Sequence, residues 1–325
     1  MATTVGALIN EHPAFVDEAT AMMPQSNKAW THSYLPIKKL RMHTYMNADM
    51  FTVTANFDVF APENDDDVLR MQQEAHRPNV RRYRLYSEED GISWFHNEVS
   101  NVLLPAFHRY PIVTQTSHHP PPHGSERVDF SYIVQGLEGG RERPNIAIGE
   151  FKRNIIRRVA WQEGNLDSVQ SQFSRELRGY AHKYNCPQIF CFDNTTFLML
   201  QFRISKPEDI LTNCTVDCWV FPRDNVGGTP IRYAFYRLLV QGFRRVQGMR
   251  RFNTPINNTL AESCTFFSGK PHWRLADGTS TSSPFGCTRK VDPVTGGVYW
   301  LDQSGEELVD DNGNRLWDTG PFWLV

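Results

Sequence analysis

The chain has 325 residues, which is enough for one large or two modest domains with a substantial buried core. Hydrophobic residues make up 40% of it and the formal net charge is −2, so a generally basic nucleic-acid coat is excluded and any polyanion site must be a local patch. The segment from Met1 to Phe15 lacks a basic region followed by an apolar run, and no stretch approaches the roughly 18 apolar residues of a membrane span. We therefore expect an intracellular protein, cytoplasmic or nuclear, with no signal peptide, transmembrane segment or membrane partner.

The cysteines show no paired Cys-x-x-Cys spacing, which disfavours a zinc site and predicts buried free thiols. The six are Cys186, Cys191, Cys214, Cys218, Cys264 and Cys287.

Residues 1–90 form a predicted N-terminal extension with two clear patterns. Apolar residues alternate over residues 51–60, which predicts a strand. Residues 77–84 are basic with one interleaved tyrosine, a composition that suits a phosphate backbone, so Arg81 and Arg82 are candidate nucleic-acid contacts. A solvated loop explains the same composition.

From Ile92 the pattern becomes helical, with an apolar stripe that reaches Phe107. Three strands are predicted next, over Tyr110–Thr116, Arg127–Val134 and Asn145–Lys152, and the Gly-rich segment between the last two predicts a β-hairpin. Three histidines beside a proline run precede the second strand. We interpret them as a stiff exposed loop, because polyproline geometry splays side chains in different directions.

The last two strands place three charged side chains together. A strand sends alternate side chains to opposite faces, so Glu150 and Lys152 point the same way and Phe151 points away. Asp129 lies on the neighbouring strand and can face the same side. An Asp on one strand and Glu-x-Lys on the next resembles the signature of the PD-(D/E)xK nuclease superfamily, with Val128 where Pro is usual.

The resemblance implies a site for Mg²⁺ or Mn²⁺, because the carboxylates of Asp129 and Glu150 and the backbone carbonyl of Phe151 are hard oxygen ligands. Such a metal lowers the pKa of bound water and offsets phosphate charge, and Lys152 would orient or help deprotonate that water. The superfamily often carries an acidic residue on the helix before these strands, a role that Glu98 fits. On the residues alone, a solvent-facing Glu98 and a surface ion pair between Glu150 and Lys152 are the alternatives.

Residues 166–184 predict the next helix, with apolar residues at helical spacing. Some branches of the superfamily use a Gln and a Tyr on this helix. Gln170, Gln172 and Tyr180 resemble that usage, and Gln172 is the candidate supporting residue. Two near-continuous apolar strands follow, up to Arg203, as is typical of sheets covered on both faces.

The order helix, three strands, helix, two strands over residues 91–205 resembles a restriction-endonuclease-like αβββαβ core. We therefore expect an α/β fold with a central mixed sheet flanked by helices, plus N-terminal and C-terminal additions. Residues 206–281 are predicted to be a helical, basic extension that packs on the core. In residues 282–325, glycines separate short apolar stretches, and this pattern predicts a β-hairpin-rich tail.

Basic residues near these elements are candidate contacts to DNA or RNA. Three directly follow Lys152 and would form a positive rim beside the carboxylates. Two lie on the predicted helix 233–246, which is either a nucleic-acid surface or a helix salt-bridged to acidic parts of the chain. With the two of the N-terminal extension, the set is Arg81, Arg82, Arg153, Arg157, Arg158, Arg244 and Arg245.

These patterns predict a metal-dependent nuclease that hydrolyses phosphodiester bonds in nucleic acid. The predicted catalytic residues are Asp129, Glu150, Lys152, Glu98 and Gln172. One alternative is a catalytically inactive nuclease-fold module that binds nucleic acid or a protein partner. Another is an interaction protein in which Asp129 lies far from Glu150.

Overall fold

The computed structural model describes most of the chain. The described residues are 3–19, 28–48, 52–60, 65–108, 112–134, 144–249, 255–256, 260–269, 271–274, 280–281, 288–291, 298–309, 313 and 315. The chain divides into two compact units, residues 1–242 and 243–325.

A seven-stranded mixed sheet forms the centre of the first unit. Its strands are β1 (Lys39–Met42), β2 (Val113–Ser117), β3 (Phe130–Val134), β4 (Asn145–Phe151), β5 (Gln188–Phe192), β6 (Thr196–Phe202) and β7 (Thr215–Pro222). Their spatial order is β1-β7-β6-β5-β4-β3-β2. β4 runs parallel to β5 and β7 runs parallel to β1, while the other neighbours are antiparallel.

Three longer helices accompany the sheet: α1 (Glu88–Phe95), α2 (Ser168–Lys183) and α3 (Ile231–Met249). Ser87 and Asp90 form a capping box that begins α1, and the side chain of Asp167 accepts two backbone N–H groups at the start of α2. The shorter helices are Val5–Ile9, Asp65–Met71, Asn101–Leu103 and Arg158–Gln162, with 3₁₀ turns at Ala29–Ser33, Leu104–Phe107 and Pro207–Leu211 and a π turn at His96–Ser100.

Both faces of the sheet are covered. The ring of Phe151 lies 5.4 Å from that of Phe95, which in turn lies 5.3 Å from Phe235, so α1 and α3 cover the same face. Glu150 points to the opposite face, where the hydroxyl of Tyr180 on α2 donates to it at 3.3 Å. Strands β3 to β6 are buried along their whole lengths, as their apolar runs predict.

Short strand pairs complete both units. In the first unit Thr3–Thr4 pairs with Glu74–Ala75, Val16–Ala19 with Tyr83–Leu85, and Thr44–Met46 with Val53–Ala55. In the second unit Pro255–Ile256, Leu260–Cys264, Pro271–Arg274 and Ser280–Thr281 form one antiparallel sheet, and Thr288–Val291 pairs with Val298–Leu301. No helix within the described ranges is long and apolar enough to span a bilayer.

The predicted order of helices and strands from α1 to β6 is confirmed, and so are the antiparallel pairing of β3 with β4 and the helix predicted over residues 233–246, which is part of α3. The glycine-rich loop at 135–143 lies outside the described residues. The strand predicted over residues 51–60 is shorter, because the chain turns so that the rings of Phe57 and Phe60 lie 6.0 and 4.6 Å from Trp219. Cys186, Cys191, Cys214 and Cys218 are free thiols, and all but Cys214 are buried.

The sheet extends beyond the predicted core of residues 91–205, because β1 and β7 come from the flanking segments. The boundary between the two units follows residue 242, so it coincides with neither 205 nor 281. In the predicted hairpin-rich tail, Thr288–Val291 and Val298–Leu301 form an antiparallel pair, and Arg315 forms an isolated bridge with Val309.

Gly242 sets how closely α3 approaches the sheet. A β-carbon at this position would lie 1.8 Å from the carbonyl oxygen of Ile146 on β4. Since that neighbour is backbone, Gly242→Ala should displace α3 and lower the free energy of unfolding by about 1–3 kcal/mol, the usual cost of overpacking. Urea denaturation measures this loss. Met249→Ala, on an exposed side chain at the end of α3, should change the free energy by less than about 0.5 kcal/mol, and equal losses in both variants would contradict the packing argument.

Candidate functional site

The three residues of the Asp…Glu-x-Lys pattern meet where β4 ends. Phe130 pairs with Gly149 across β3 and β4, which places Asp129 beside Glu150 and Phe151. The backbone N–H of Phe151 donates to Oδ2 of Asp129 at 2.6 Å. This contact contradicts the alternative in which Asp129 lies far from Glu150, and it fixes the orientation of the Asp129 carboxylate.

The carboxylate of Glu150 is buried, with 2% of the residue exposed. Its Oε1 accepts from the ammonium of Lys152, which lies two residues further along the chain on the same face. Its Oε2 is also buried and has no hydrogen-bond partner among the described residues. The ion pair is therefore a buried one rather than the surface pair of the alternative interpretation, and one carboxylate oxygen is left available.

Helix α2 supplies two further polar groups. Glu176 and Tyr180 are four residues apart, so they project from the same side of the helix. Oε1 of Glu176 lies 3.6 Å from the ammonium of Lys152, and the hydroxyl of Tyr180 donates to Glu150. Glu176 is completely buried. Two buried carboxylates, Glu150 and Glu176, therefore share Lys152, which directly follows β4.

Lys28 brings a second ammonium group from a distant part of the sequence. Its Nζ lies 2.7 Å from Oε1 of Glu176 and 3.3 Å from Oε1 of Glu150, and it donates to the hydroxyl of Tyr180 at 2.8 Å. The side chain of Lys28 is 39% exposed, so it lies at the mouth of the cluster. Two lysines therefore balance the charges of Glu150 and Glu176.

Glu88, in the first turn of α1, adds another acidic group near the cluster. Burial raises its pKa, and the charges of Lys152 and Glu150 shift the same pKa in opposite directions. Glu88 also contributes to the raised pKa of Asp129, whose main cause is burial.

Burial dominates the electrostatics of Glu150. It raises the pKa of this carboxyl to about 7, against the lowering effect of Lys152 and with a further increase from Asp129. For Lys152 the effect of burial is overcome by Glu150 and Glu176, and its pKa lies above the usual value. The pKa of Lys28 is raised for the same reasons. Both ammonium groups are therefore charged at neutral pH.

The prediction that Glu98 completes this acidic shell is wrong. Glu98 lies in the π turn after α1, in the layer that covers the Phe151 face of the sheet. Its carboxylate accepts from the hydroxyl of Tyr83 at 2.9 Å and from the backbone N–H of Ala14 at 3.1 Å, and it pairs with Arg232 at 3.3 Å. Glu98 is a buried partner for Arg232, on the far side of the sheet from Glu150.

Gln172 does not reach the cluster either. Its amide donates to the hydroxyl of Thr31. Gln170 is fully buried, and its amide oxygen accepts from the indole N–H of Trp161 at 2.6 Å. Of the three α2 residues singled out in the sequence, only Tyr180 contacts Glu150. Glu176, one turn before it, takes the place that was predicted for Gln172.

The predicted basic residues have varied surroundings. Arg157 bonds to Asp167 at 2.5 Å, Arg82 lies 3.8 Å from Asp17, and Arg81 stacks over Tyr83. Arg153 and Arg158 are half-buried and follow β4 directly, so they remain close to the carboxylates in sequence.

The structure does not place the α3 arginines as the predicted nucleic-acid surface requires. Arg245 is only 3% exposed and its guanidinium lies 5.5 Å from the ring centre of Phe266, so it cannot form a nucleic-acid surface. Arg232 and Arg237 are also buried, and Arg244 is half-buried. Most of the described arginine side chains of this helix are therefore buried and do not face solvent.

The histidine loop is exposed at His118 and His123, in line with a stiff surface loop. Tyr184, just after α2, fastens it: the hydroxyl of Tyr184 donates to the carbonyl of His119 at 2.6 Å and accepts from the N–H of Val128 at 3.0 Å. The loop is thereby tied to the segment that carries Asp129.

The donor set suits a hard divalent cation, because carboxylate oxygens and a backbone carbonyl are the ligands that Mg²⁺ and Mn²⁺ prefer. The unpartnered Oε2 of Glu150 and the neighbouring Asp129 fit this chemistry. Among the described residues, however, no three His, Cys, Asp or Glu side chains are gathered as a ready metal site. Instead, Lys28 and Lys152 contact the carboxylates.

The raised pKa of Glu150 predicts a pH dependence of stability. Its pKa is about 7 in the folded chain against 4.5 as the reference value, so between these values the folded state binds the extra proton. Stability should therefore fall as pH rises from about 4.5 to about 7, with a slope of at most ~1.4 kcal/mol per pH unit from this group. Urea denaturation across this range should show a flatter slope for Glu150→Gln. The exposed control Glu163→Gln should keep the wild-type slope, and an unchanged slope in Glu150→Gln would contradict the assignment.

The buried pair of Glu98 and Arg232 predicts a structural role for both residues. Glu98→Gln leaves the buried guanidinium without its counter-charge and should lower the free energy of unfolding by about 3 kcal/mol. The pKa of Glu150, followed by carboxyl NMR, should stay at its wild-type value. The exposed Glu89→Gln should leave both quantities unchanged, and a shifted Glu150 pKa in Glu98→Gln would restore Glu98 to the site.

Comparison with known proteins adds no relative. No protein-family model, no curated protein and no solved structure matches the chain.

Proposed function

We propose that this protein is a metal-dependent nuclease that hydrolyses phosphodiester bonds, with the core of the PD-(D/E)xK superfamily. The observation that carries the proposal is the convergence of Asp129, Glu150 and Lys152 at the end of β4, with one buried Glu150 oxygen left without a partner. The fold supports it as well. Three antiparallel strands lead through helix α2 to a strand parallel to the third, which is the order expected of a restriction-endonuclease-like core.

Asp129 and Glu150, with the backbone carbonyl of Phe151, would hold Mg²⁺ or Mn²⁺. When bound, such an ion activates water and offsets negative charge on the phosphate. The hydrogen bond from the N–H of Phe151 keeps the Asp129 carboxylate directed at the place where β4 ends. Tyr180 holds the Glu150 carboxylate from the side of α2.

Of the two roles considered for Lys152, orienting the attacking water or helping to deprotonate it, we propose only the first. Its pKa is raised by Glu150 and Glu176, so it carries a proton at neutral pH. A protonated amine is a poor base but a good donor to a water molecule or to an oxygen that gains negative charge. Lys152 would therefore orient the attacking water and stabilise the transition state, rather than deprotonate the water itself.

Nucleic acid would approach along the segment that follows β4. Arg153 and Arg158 are half-buried there, and Arg81 and Arg82 are exposed on the N-terminal segment. Arginine is well suited to phosphate contacts, because its planar guanidinium can donate two hydrogen bonds at once.

A second candidate is a nuclease-fold module that binds nucleic acid or a protein without cutting. The observation in its favour is that two ammonium groups, rather than a third acidic ligand, contact the Glu150 and Glu176 carboxylates. It predicts binding without turnover and little or no uptake of Mn²⁺. Calorimetry with Mn²⁺ separates the two candidates.

The nuclease proposal predicts that Lys152→Ala, Asp129→Asn and Glu150→Gln each lower the cleavage rate at least about 100-fold, the usual scale for a catalytic proton-handling or charge-stabilising group. The assay uses Mg²⁺ or Mn²⁺ with single- and double-stranded DNA and RNA. EDTA should abolish cleavage.

Lys38→Ala is the matched control, because Lys38 is an exposed lysine remote in sequence from the cluster. It should cleave like the wild type. Cleavage by Lys152→Ala at the wild-type rate on every substrate would refute the enzyme proposal.

A further inference from the structure

A short segment before β1 lies along helix α2. Residues 28–34, here called the α2 strap, consist of Lys28, the 3₁₀ turn Ala29–Ser33 and Tyr34. The rings of Trp30 and Tyr180 are 5.2 Å apart in an edge-to-face contact. The hydroxyl of Thr31 accepts from Gln172, so the strap contacts α2 at two levels along the helix.

Tyr34, at the C-terminal end of the strap, also contacts α2. The Tyr34 hydroxyl lies 3.3 Å from Nδ1 of His182, and the guanidinium of Arg175 donates to the backbone carbonyl of Tyr34. Both α2 partners lie on the turns that flank Gly179. The strap is thus a docked element with a defined contact surface.

Gly179 makes the docking possible. A β-carbon at this position would lie 2.3 Å from a ring carbon of Trp30 and 3.0 Å from one of Tyr34. Glycine in a helix interior costs roughly 1 kcal/mol relative to alanine. Its presence here leaves the space into which the Trp30 ring fits.

The strap carries Lys28 to the carboxylates. The Lys28 ammonium contacts Glu176 at 2.7 Å and Glu150 at 3.3 Å. A divalent cation binds carboxylate oxygens at roughly 2.0–2.6 Å. An ion at the free Oε2 of Glu150 would lie only a few ångströms from the Lys28 ammonium at Oε1 of the same carboxylate, so the two positive charges would repel each other.

The two lysines of the cluster differ in how they are attached. Lys152 is two residues from Glu150 and remains at the site whenever β4 is formed. Lys28 is 122 residues away from Glu150 in the sequence and reaches it only through the docked strap. It is also the more exposed of the two, at 39% against 11% for Lys152. Lys28 is therefore the cation that can leave.

We infer that Lys28 is a tethered counter-cation that closes the site, and that a divalent cation binds by displacing the Lys28 ammonium from Glu150 and Glu176. This inference rests on the proposed function, since it assumes that Asp129 and Glu150 bind the metal. It makes the α2 strap an autoinhibitory contact: the strap favours the closed, metal-free arrangement, and release of Lys28 accompanies metal binding.

Calorimetric titration with Mn²⁺ tests the inference without an activity assay. Lys28→Met removes the charge but keeps the length of the side chain, and it should raise Mn²⁺ affinity at least about tenfold, the scale of one charge-assisted hydrogen bond. Lys28→Arg keeps a cation on the strap and should stay within about threefold of the wild type.

Gly179→Ala tests the strap with Lys28 intact. The new methyl group displaces Trp30 while alanine favours the helix, so α2 should fold and Mn²⁺ affinity should rise in the same direction as in Lys28→Met. Val169→Ala, on an exposed side chain of the first turn of α2, is the matched control and should bind Mn²⁺ like the wild type. Circular dichroism establishes that each variant is folded.

The outcomes separate the inference from the function on which it rests. Equal Mn²⁺ affinity in wild type, Lys28→Met and Gly179→Ala, with binding lost in Asp129→Asn, would overturn the inference and leave the nuclease proposal standing. Weaker Mn²⁺ binding in Lys28→Met would also overturn it, since Lys28 would then assist the metal. No Mn²⁺ binding by the wild type or by any variant would overturn both.

Discussion

The buried charge of Glu150 is the constraint on which the site depends. A carboxylate removed from water is strongly destabilised unless cations and donors compensate it, which is why burial raises its pKa to about 7. The compensation comes from three separate parts of the chain: Lys152 directly after β4, Tyr180 on α2, and Lys28 on the strap. The buried carboxylate of Glu150 is thus contacted from the end of β4, from α2 and from the strap. The contacts that compensate its charge also bring together the residues of the candidate active site.

The alternation of β4 keeps chemistry and core apart. Phe151 enters the aromatic layer formed with Phe95 and Phe235, while Glu150 points to the face of α2. The other face has its own buried ion pair, Glu98 with Arg232, which links the segment after α1 to α3. Both pairs are charged and buried, yet only the one at Glu150 has a carboxylate oxygen without a partner and an opening toward solvent at Lys28. That difference separates the candidate site from a structural ion pair.

The sequence carried much of this arrangement but not all of it. Period-two alternation and long apolar runs are local signals, so β3 to β6 and α2 could be predicted directly, and the spacing of Glu150 and Lys152 predicted their common face. Glu176 carried a usable signal, since it precedes Tyr180 by one helical turn. Lys28 carried none, because it reaches Glu150 across 122 residues and through the docking of Trp30 on Gly179. The prediction that the α3 arginines contact nucleic acid failed for Arg245, because a basic helical pattern does not show that this side chain is buried against Phe266.

Charge balance links the proposed metal to the position of the strap. Two adjacent buried carboxylates, Glu150 and Glu176, repel each other unless positive charge lies between them. Both lysines contact both carboxylates, but Lys152 lies 3.6 Å from Glu176, and Lys28 is the closer partner of Glu176 at 2.7 Å. Adding a divalent ion while both lysines stay would bring three cations close together at these carboxylates, and removing Lys28 without replacement would leave Glu176 without its nearest cation. The arrangement is therefore most stable with either Lys28 or the metal present, and less stable with both or with neither, which makes the docking of the strap and the binding of the ion two states of one electrostatic balance.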